Sequence, residues 1–118
     1  MKALRKIEKI ESLDLYEMSN LVQKRTGLPM IIYISTKAFS KHGPRIKVQT
    51  NHSQKTSANS FVSISISDDP KIMAGTGLSN KDFEIVKKFI LENKKILLDF
   101  WNENIDVGDV LENLKKSE

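Results

Sequence analysis

The amino-acid sequence predicts an α+β domain in which helices pack on one face of a small three-stranded antiparallel sheet. Three observations support this prediction. β-Favouring residues occur in three short segments in the middle of the chain, amphipathic helical patterns flank them, and polar loops join them. The element order is α-α-β-β-β-α-α, which is typical of an α+β domain. At 118 residues the chain is expected to form one domain, residues 1–118.

Two helices are predicted ahead of the first strand. In residues 2–13 the apolar side chains recur at helical spacing in a thin stripe, which predicts a short helix. Residues 14–27 predict a better-formed helix with a broader apolar face. That face comprises Leu15, Met18, Leu21 and Val22. Gly27 supplies a stop at the C-terminal end, and Pro29 follows it closely.

Three strands are predicted in the middle of the chain. Residues 28–36 contain an unbroken run of β-favouring side chains, which predicts a strand covered on both faces. Residues 44–50 and 60–67 alternate between apolar and polar side chains, as half-buried strands do. The outward-pointing set of residues 44–50 is polar and mostly basic, and it comprises Arg45, Lys47 and Gln49. The polar connections between the three segments predict an antiparallel meander.

The C-terminal part of the chain predicts helices again. Residues 68–77 contain Pro and two Gly and are interpreted as a turn, with room for one helical turn or a short piece of strand. Residues 78–102 predict a single helix of more than five turns, with Ser79 as its N-cap and Asp82 three residues on. Residues 105–117 predict a last helix that begins at an aspartate cap.

The composition excludes several classes of protein. The chain has no cysteine, so disulfides, thiolate zinc sites and a cysteine nucleophile are all excluded. The charged N-terminal segment does not have the apolar run of a signal peptide, and no stretch approaches the ~20 apolar residues of a membrane span. We therefore expect a cytoplasmic protein that does not associate with a membrane.

Charged residues are segregated along the chain, whose net charge is +4. Residues 1–17 contain four cations and four anions, and residues 68–118 contain eight cations and eleven anions. Residues 18–67 contain no Asp or Glu. Their seven cations are Lys24, Arg25, Lys37, Lys41, Arg45, Lys47 and Lys55. Because the acids are confined to the two ends, the middle of the chain predicts a surface that prefers an anionic partner.

Two motifs are similar to those of a known family. His42 lies just before the second predicted strand, and Pro44 begins that strand. The long C-terminal helix contains Leu97, Leu98, Trp101 and Asn102. These residues resemble the hairpin (roughly Asp-His-Asn-Pro-Pro-His-Phe-His-Val) and the Leu-Leu-x-x-Trp-Asn helix of small bacterial domains of unknown function, often encoded near toxin–antitoxin or prophage genes. Arg45 and Lys47 stand where that family has its two later histidines. The resemblance implies a phage or mobile-element setting.

Metal, carboxylate and phosphate-loop chemistry are not favoured. His42 and His52 lie in different predicted loops of the acid-free segment, whose cations would repel a divalent metal ion. Asp68 and Asp69 precede Pro70 and are interpreted as part of a turn. The two glycines that follow lack the context of a phosphate-binding loop. We expect neither a metal nor a cofactor.

The basic strand and its two flanking loops predict a binding protein. The contacting cations are Lys37, Lys41, Arg45, Lys47 and Lys55. Such a face can lie along a nucleic-acid backbone, because each neutralised phosphate releases counterions, and complementary charge could equally attract an acidic protein surface. Tyr33 and Phe39 could add base stacking, or they could equally belong to the core. In the setting that the resemblance implies, the protein would modulate or inhibit a nucleic acid or a nucleic-acid-handling complex of host defence.

Two alternatives stay open. The first is an RNase-type toxin of a toxin–antitoxin pair, in which His42 would act as a general acid or base. Arg45 and Lys47 would then stabilise the charge of the reacting phosphate. The second alternative is a non-catalytic protein that forms a homodimer through its aromatic C-terminal helices. Binding without catalysis is the leading expectation, and whether the protein is an enzyme is left open.

Overall fold

Five short strands form one antiparallel sheet in the protein, whose structure is a computed structural model that describes residues 18–39, 42–55 and 60–117. The strands lie side by side in the order in which they occur in the chain, so the sheet is a meander. They are β1 (Ser19–Leu21), β2 (Ile32–Ile34), β3 (Arg45–Gln49), β4 (Phe61–Ser65) and β5 (Ile72–Ala74).

Four α-helices accompany the sheet within these residues. They are α1 (Gln23–Thr26), α2 (Asn80–Glu92), α3 (Lys94–Trp101) and α4 (Val107–Asn113). A short 3-10 helix, Lys37–Phe39, follows β2. The α+β class that the sequence predicts is confirmed, whereas the first predicted helix, in residues 2–13, falls outside the described residues.

The predicted three-stranded sheet is wrong, because the described residues alone form a sheet of five strands. The first additional strand, β1, lies in residues 14–27, where a helix was predicted, and pairs with β2 from Ser19↔Ile34 to Leu21↔Ile32. The helical part of that segment is limited to the four residues of α1. The second additional strand, β5, pairs with β4 across a bulge. Both strands are three residues long, too short for periodicity to reveal, and their hydrogen bonds come from a neighbouring strand.

The hydrophobic core lies between one face of the sheet and the C-terminal helices. In the sheet, Ile32, Val48 and Val62 are in register across three strands and are almost fully buried. From the helices, Val86, Phe89, Ile90, Leu97, Phe100 and Val110 pack into the same cluster. Burying these branched and aromatic side chains supplies the main stabilisation, roughly 1.5–3 kcal/mol for each large side chain.

The single helix predicted over residues 78–102 is two helices, with a break at Asn93. Asn93 is only 3% exposed. Its side-chain Nδ2 donates to the carbonyl oxygens of Phe89 and Lys115, both at 3.0 Å, and its Oδ1 accepts from the backbone N–H of Lys115 at 2.7 Å. The buried amide thus holds the segment after α4 against the junction of α2 and α3. Ser117 continues this contact by donating its backbone N–H to the carbonyl of Thr26.

The predicted ends of three helices are confirmed. Ser79 caps α2, with its side chain accepting from the backbone N–H of Asp82 at 3.1 Å. An aspartate capping box, Asp106 with Asp109, begins α4. Gly27 ends α1 in the left-handed conformation, with φ 78°. Such caps depend on residues close together in the chain, which is why the sequence predicts them.

No helix in the described part of the chain is both long enough and apolar enough to cross a membrane.

Candidate functional site

The loop that follows β3 is held by side-chain hydrogen bonds that begin at Gln49. The side chain of Gln49 is completely buried, and its Nε2 donates to Asn51 Oδ1 and to the carbonyl of Ser53, both at 2.8 Å. Asn51 Oδ1 also accepts from the backbone N–H of Ser53. Residues 51–55 are all exposed. A buried amide therefore holds an exposed loop in one shape.

Gln54 joins this loop to the first helix. Its Oε1 accepts from the backbone N–H of Gln23 at 2.9 Å, and its Nε2 donates to the carbonyl of Pro29 at 3.1 Å. Three exposed cations lie next to the joined residues: Lys24, Arg25 and Lys55. We call these three residues the basic end of the sheet.

His52 in the same loop contacts a carboxylate from the second helix. Its Nε2 lies 2.8 Å from Oδ2 of Asp82. The side chain of His52 is 56% exposed and that of Asp82 is 10% exposed, so an accessible imidazole rests on a nearly buried acid. Ser79 accepts a hydrogen bond from the backbone N–H of Asp82, but the side chain of Asp82 does not bond back to the backbone of Ser79 as it would in a capping box. The carboxylate instead fixes the loop to the N-terminal turn of α2.

The described residues contain no group of three or more His, Cys, Asp or Glu side chains that could hold a metal ion. Comparisons of the chain with protein-family models, curated proteins and solved structures found no match. The functional assignment therefore depends on the geometry and charge of the chain's own residues.

The structure divides the cations that the sequence grouped as one binding face. Because β2 and β3 are antiparallel, Lys37 and His42 lie at the end of the sheet where β3 begins. Lys55 lies at the other end, beyond Gln49. Strand β3 alone separates the two ends by about 13 Å, at ~3.3 Å per residue. The fifth predicted cation, Lys41, lies outside the described residues.

Arg45 and Lys47 lie on β3 itself, Arg45 at its first position, and both are on the sheet face opposite the core. Lys47 is in register with Tyr33 and Ser63, and all three are at least partly buried. The Nε of Arg45 is buried, and no described residue hydrogen-bonds it. The side chains of Arg45 and Lys47 therefore point away from the core, as expected. Both residues are partly buried, so their charges are only partly accessible to solvent.

Tyr33, on the sheet face opposite the core, is not available to stack on a ligand. Tyr33 is 2% exposed and packs edge-to-face on Phe61, with ring centroids 5.2 Å apart. Of the two alternatives for Tyr33, base stacking and a buried place in the fold, the structure supports the second, because the residue is almost fully buried. The side chain of Phe39 lies outside the description that the structure provides.

Ion pairing differs between the two halves of the described chain. The lysines that form ion pairs there, Lys71, Lys87, Lys94 and Lys95, contact Asp68, Asp69 or Asp99, all in the acid-containing C-terminal part. In contrast, the described lysines and arginines of the acid-free segment form no ion pair with a described residue. They are Lys24, Arg25, Lys37, Arg45, Lys47 and Lys55. Folding therefore does not bring described acids into ion pairs with these lysines and arginines, and the segregation of charge in the sequence persists in the described part of the structure.

Two features of the site were missed by sequence reasoning. Lys24 and Arg25 were counted among the cations of the acid-free segment but were not included in the predicted set of contacting cations. Asp82 was assigned to a helix cap, and its contact with His52 spans 30 residues of sequence. The charge count already contained Lys24 and Arg25, so it could have placed them in the contacting set, whereas no local pattern indicates the contact of Asp82 with His52.

The space between α2 and the segment after α4 forms an open groove of about 710 Å³. Its lining residues are Glu84, Ile85, Lys88, Glu92, Lys115, Lys116 and Ser117. Because these side chains alternate in sign, the groove does not favour an anion over a cation. The basic end is therefore the better candidate for binding an anionic partner.

The aromatic residues of the C-terminal helices are part of the core. Phe89, Phe100 and Trp101 are at most 8% exposed. A homodimer through these helices stays a prediction, but it could not use those rings without opening the core. Leu91 is the large apolar side chain that α2 exposes.

Proposed function

We propose that the protein binds the phosphate backbone of a nucleic acid through the basic end of the sheet. The observation that supports this proposal most directly is the group of three exposed cations, Lys24, Arg25 and Lys55, for which the described chain provides no acidic partner. Gln54 holds the two segments that contain them together. Cations held on a hydrogen-bonded loop and a helix can contact phosphates without being reordered first.

The composition of this surface favours a nucleic acid over an acidic protein. In the two segments that contain the basic end, residues 18–29 and 50–55, the other exposed residues are all polar, namely Asn20, Gln23, Asn51, His52, Ser53 and Gln54. Protein interfaces are usually anchored by exposed aromatic or aliphatic side chains, whereas phosphate contacts need cations and polar donors. A role in modulating host defence, and a phage or mobile-element setting, stay predictions that rest on the resemblance.

Salt-dependent binding tests the proposal. Fluorescence anisotropy would follow a labelled single-stranded oligonucleotide bound by the full chain. Three phosphate contacts predict a log–log slope of about −2, which is a loss of affinity of about 20-fold between 50 and 200 mM salt. In the triple variant Lys24→Gln, Arg25→Gln, Lys55→Gln, we expect weaker binding and a slope close to zero.

A control variant with the same net charge distinguishes the effect of losing the basic end from the effect of lowering the net charge. The variant Lys71→Gln, Lys87→Gln, Lys95→Gln also removes three charges, but from lysines that already pair with acids. Its slope should stay near that of the wild type. Equal losses in both triple variants would refute a specific basic end. Binding of a polyglutamate peptide with no binding of DNA or RNA would replace the proposal with an acidic protein partner.

A further inference from the structure

The contact between His52 and Asp82 has the geometry of a general base with its supporting carboxylate. A carboxylate 2.8 Å from Nε2 accepts the proton on that nitrogen, which leaves the lone pair of the neutral ring on Nδ1. No described residue hydrogen-bonds Nδ1 of His52. The ring is more than half exposed, so this nitrogen can reach a bound molecule.

The protein offers no nucleophile of its own to this base in the described residues. The nearby hydroxyl of Ser79 accepts a hydrogen bond from the backbone of Asp82, and the hydroxyl of Ser53 accepts one from the backbone of Lys55. Neither hydroxyl bonds His52. Among the described residues no hydroxyl hydrogen-bonds His52, so a hydroxyl of a bound molecule can take that place.

The neighbouring cations indicate which molecule supplies that hydroxyl. Lys55 is three residues from His52, and Gln54, which donates to the carbonyl of His52 at 3.4 Å, links this loop to the helix of Lys24 and Arg25. A molecule that combines a phosphodiester with an adjacent hydroxyl is RNA, through its 2′-OH. DNA has the phosphates without the hydroxyl.

We propose that the protein cleaves single-stranded RNA with His52 as general base and Asp82 as the residue that positions it. This inference rests on the proposed nucleic-acid binding. The Nδ1 of His52 takes the 2′-OH proton, a bond forms between O2′ and phosphorus, and the bond from phosphorus to O5′ breaks. The departing O5′ takes a proton from water, and the resulting hydroxide takes the proton from His52. The products are a 2′,3′-cyclic phosphate and a 5′-hydroxyl.

The test uses one oligonucleotide sequence as RNA and as its 2′-O-methyl form, in buffer with a metal chelator. Mass spectrometry detects the cyclic phosphate from RNA, and anisotropy measures binding of the methylated form, which cannot be cleaved by this route. The wild type should cleave the RNA. His52→Gln should slow cleavage at least 100-fold, the scale of general-base catalysis, with binding of the methylated form changed less than threefold.

The positioning role of Asp82 is tested by a measurement that would not change in the same way if the substitution merely disturbed the fold. Asp82→Asn should lower kcat at least tenfold while leaving the KM for RNA and the affinity for the methylated form unchanged. Since Asp82 is buried, the melting temperature of this variant would be measured in parallel. The exposed His52→Gln variant keeps the proposal falsifiable if Asp82→Asn does not fold.

Each remaining outcome decides between the proposals. Binding of the methylated form without cleavage of RNA would overturn this inference and leave the nucleic-acid binding proposal standing. Absence of binding to both forms would overturn both proposals. Loss of cleavage in His42→Gln but not in His52→Gln would overturn it in favour of the RNase-type site built on His42, Arg45 and Lys47.

Discussion

Replacing Asn93 by alanine removes the side chain that holds the segment after α4 in place. Three hydrogen bonds are lost: two donated by Nδ2, to Phe89 and Lys115, and one accepted by Oδ1 from Lys115. At roughly 1 kcal/mol each, they contribute about 3 kcal/mol. Alanine returns about 0.5 kcal/mol, because it does not lose the side-chain conformational entropy that a buried asparagine loses. We therefore expect the free energy of unfolding to fall by about 2.5 kcal/mol.

Urea denaturation followed by circular dichroism measures this loss. With an m-value of about 1.5 kcal/mol/M, the midpoint of Asn93→Ala should be lower by about 1.7 M while m itself stays unchanged. Hydrogen exchange gives a local readout. The amide of Lys115 should exchange slowly in the wild type, because Oδ1 of Asn93 accepts its proton at 2.7 Å, and quickly in the variant.

The same substitution at an exposed asparagine is the matched control. Asn113 donates one exposed hydrogen bond to the carbonyl of Asp109, so Asn113→Ala should change the free energy of unfolding by less than about 0.5 kcal/mol. If the two alanine variants unfold at the same urea concentration, the buried amide does not stabilise the fold as argued. Retained protection of the Lys115 amide in Asn93→Ala would contradict the hydrogen-bond assignment directly.

Two further predictions concern a glycine and an exposed carboxyl. Gly27→Ala should lower the free energy of unfolding in urea by more than about 1–2 kcal/mol, because φ is 78° and a Cβ would collide with the Ser117 carbonyl. Gly43→Ala is the control and should be nearly neutral, because its Cβ would meet nothing within 4 Å. Equal effects of the two substitutions would refute the reasoning. Lys94, through its hydrogen bond and its charge, lowers the pKa of Asp68 from 3.8, so this carboxyl stabilises the folded state above that pH and loses its contribution below it. Asp68→Asn should therefore melt slightly below the wild type at pH 7, and a difference that persists in strong acid would contradict the pairing.

Sequence periodicity predicts the elements whose patterns are long or unbroken. Strands β2, β3 and β4 lie within the three predicted segments, and α2 and α4 begin at their predicted caps. These features depend on residues within a few positions of one another. The charge segregation is also a property of the sequence. Folding largely preserves it in the described residues, because the ion pairs of Asp68, Asp69 and Asp99 are with C-terminal lysines, whereas Asp82 contacts His52 of the acid-free segment.

The candidate site could be predicted only in part. Lys55 is in the predicted set and lies at the basic end, but Lys37 is at the opposite end of the sheet, because the loops before and after β3 leave it in opposite directions. Lys24 and Arg25 become neighbours of that loop through Gln54, a contact across 31 residues of sequence.

By itself, the sequence determined the α+β class, the three central strands, the helix caps and an acid-free middle. Only the tertiary structure decided that β1 and β5 exist, that the long helix breaks at Asn93, and that His52 rests on Asp82. Each of these features is completed by groups distant in the chain. A short strand obtains its hydrogen bonds from a neighbouring strand, and Asn93 reaches Lys115 across 22 residues. The contact between the exposed imidazole of His52 and the nearly buried carboxylate of Asp82 forms only because folding places the loop after β3 against the first turn of α2.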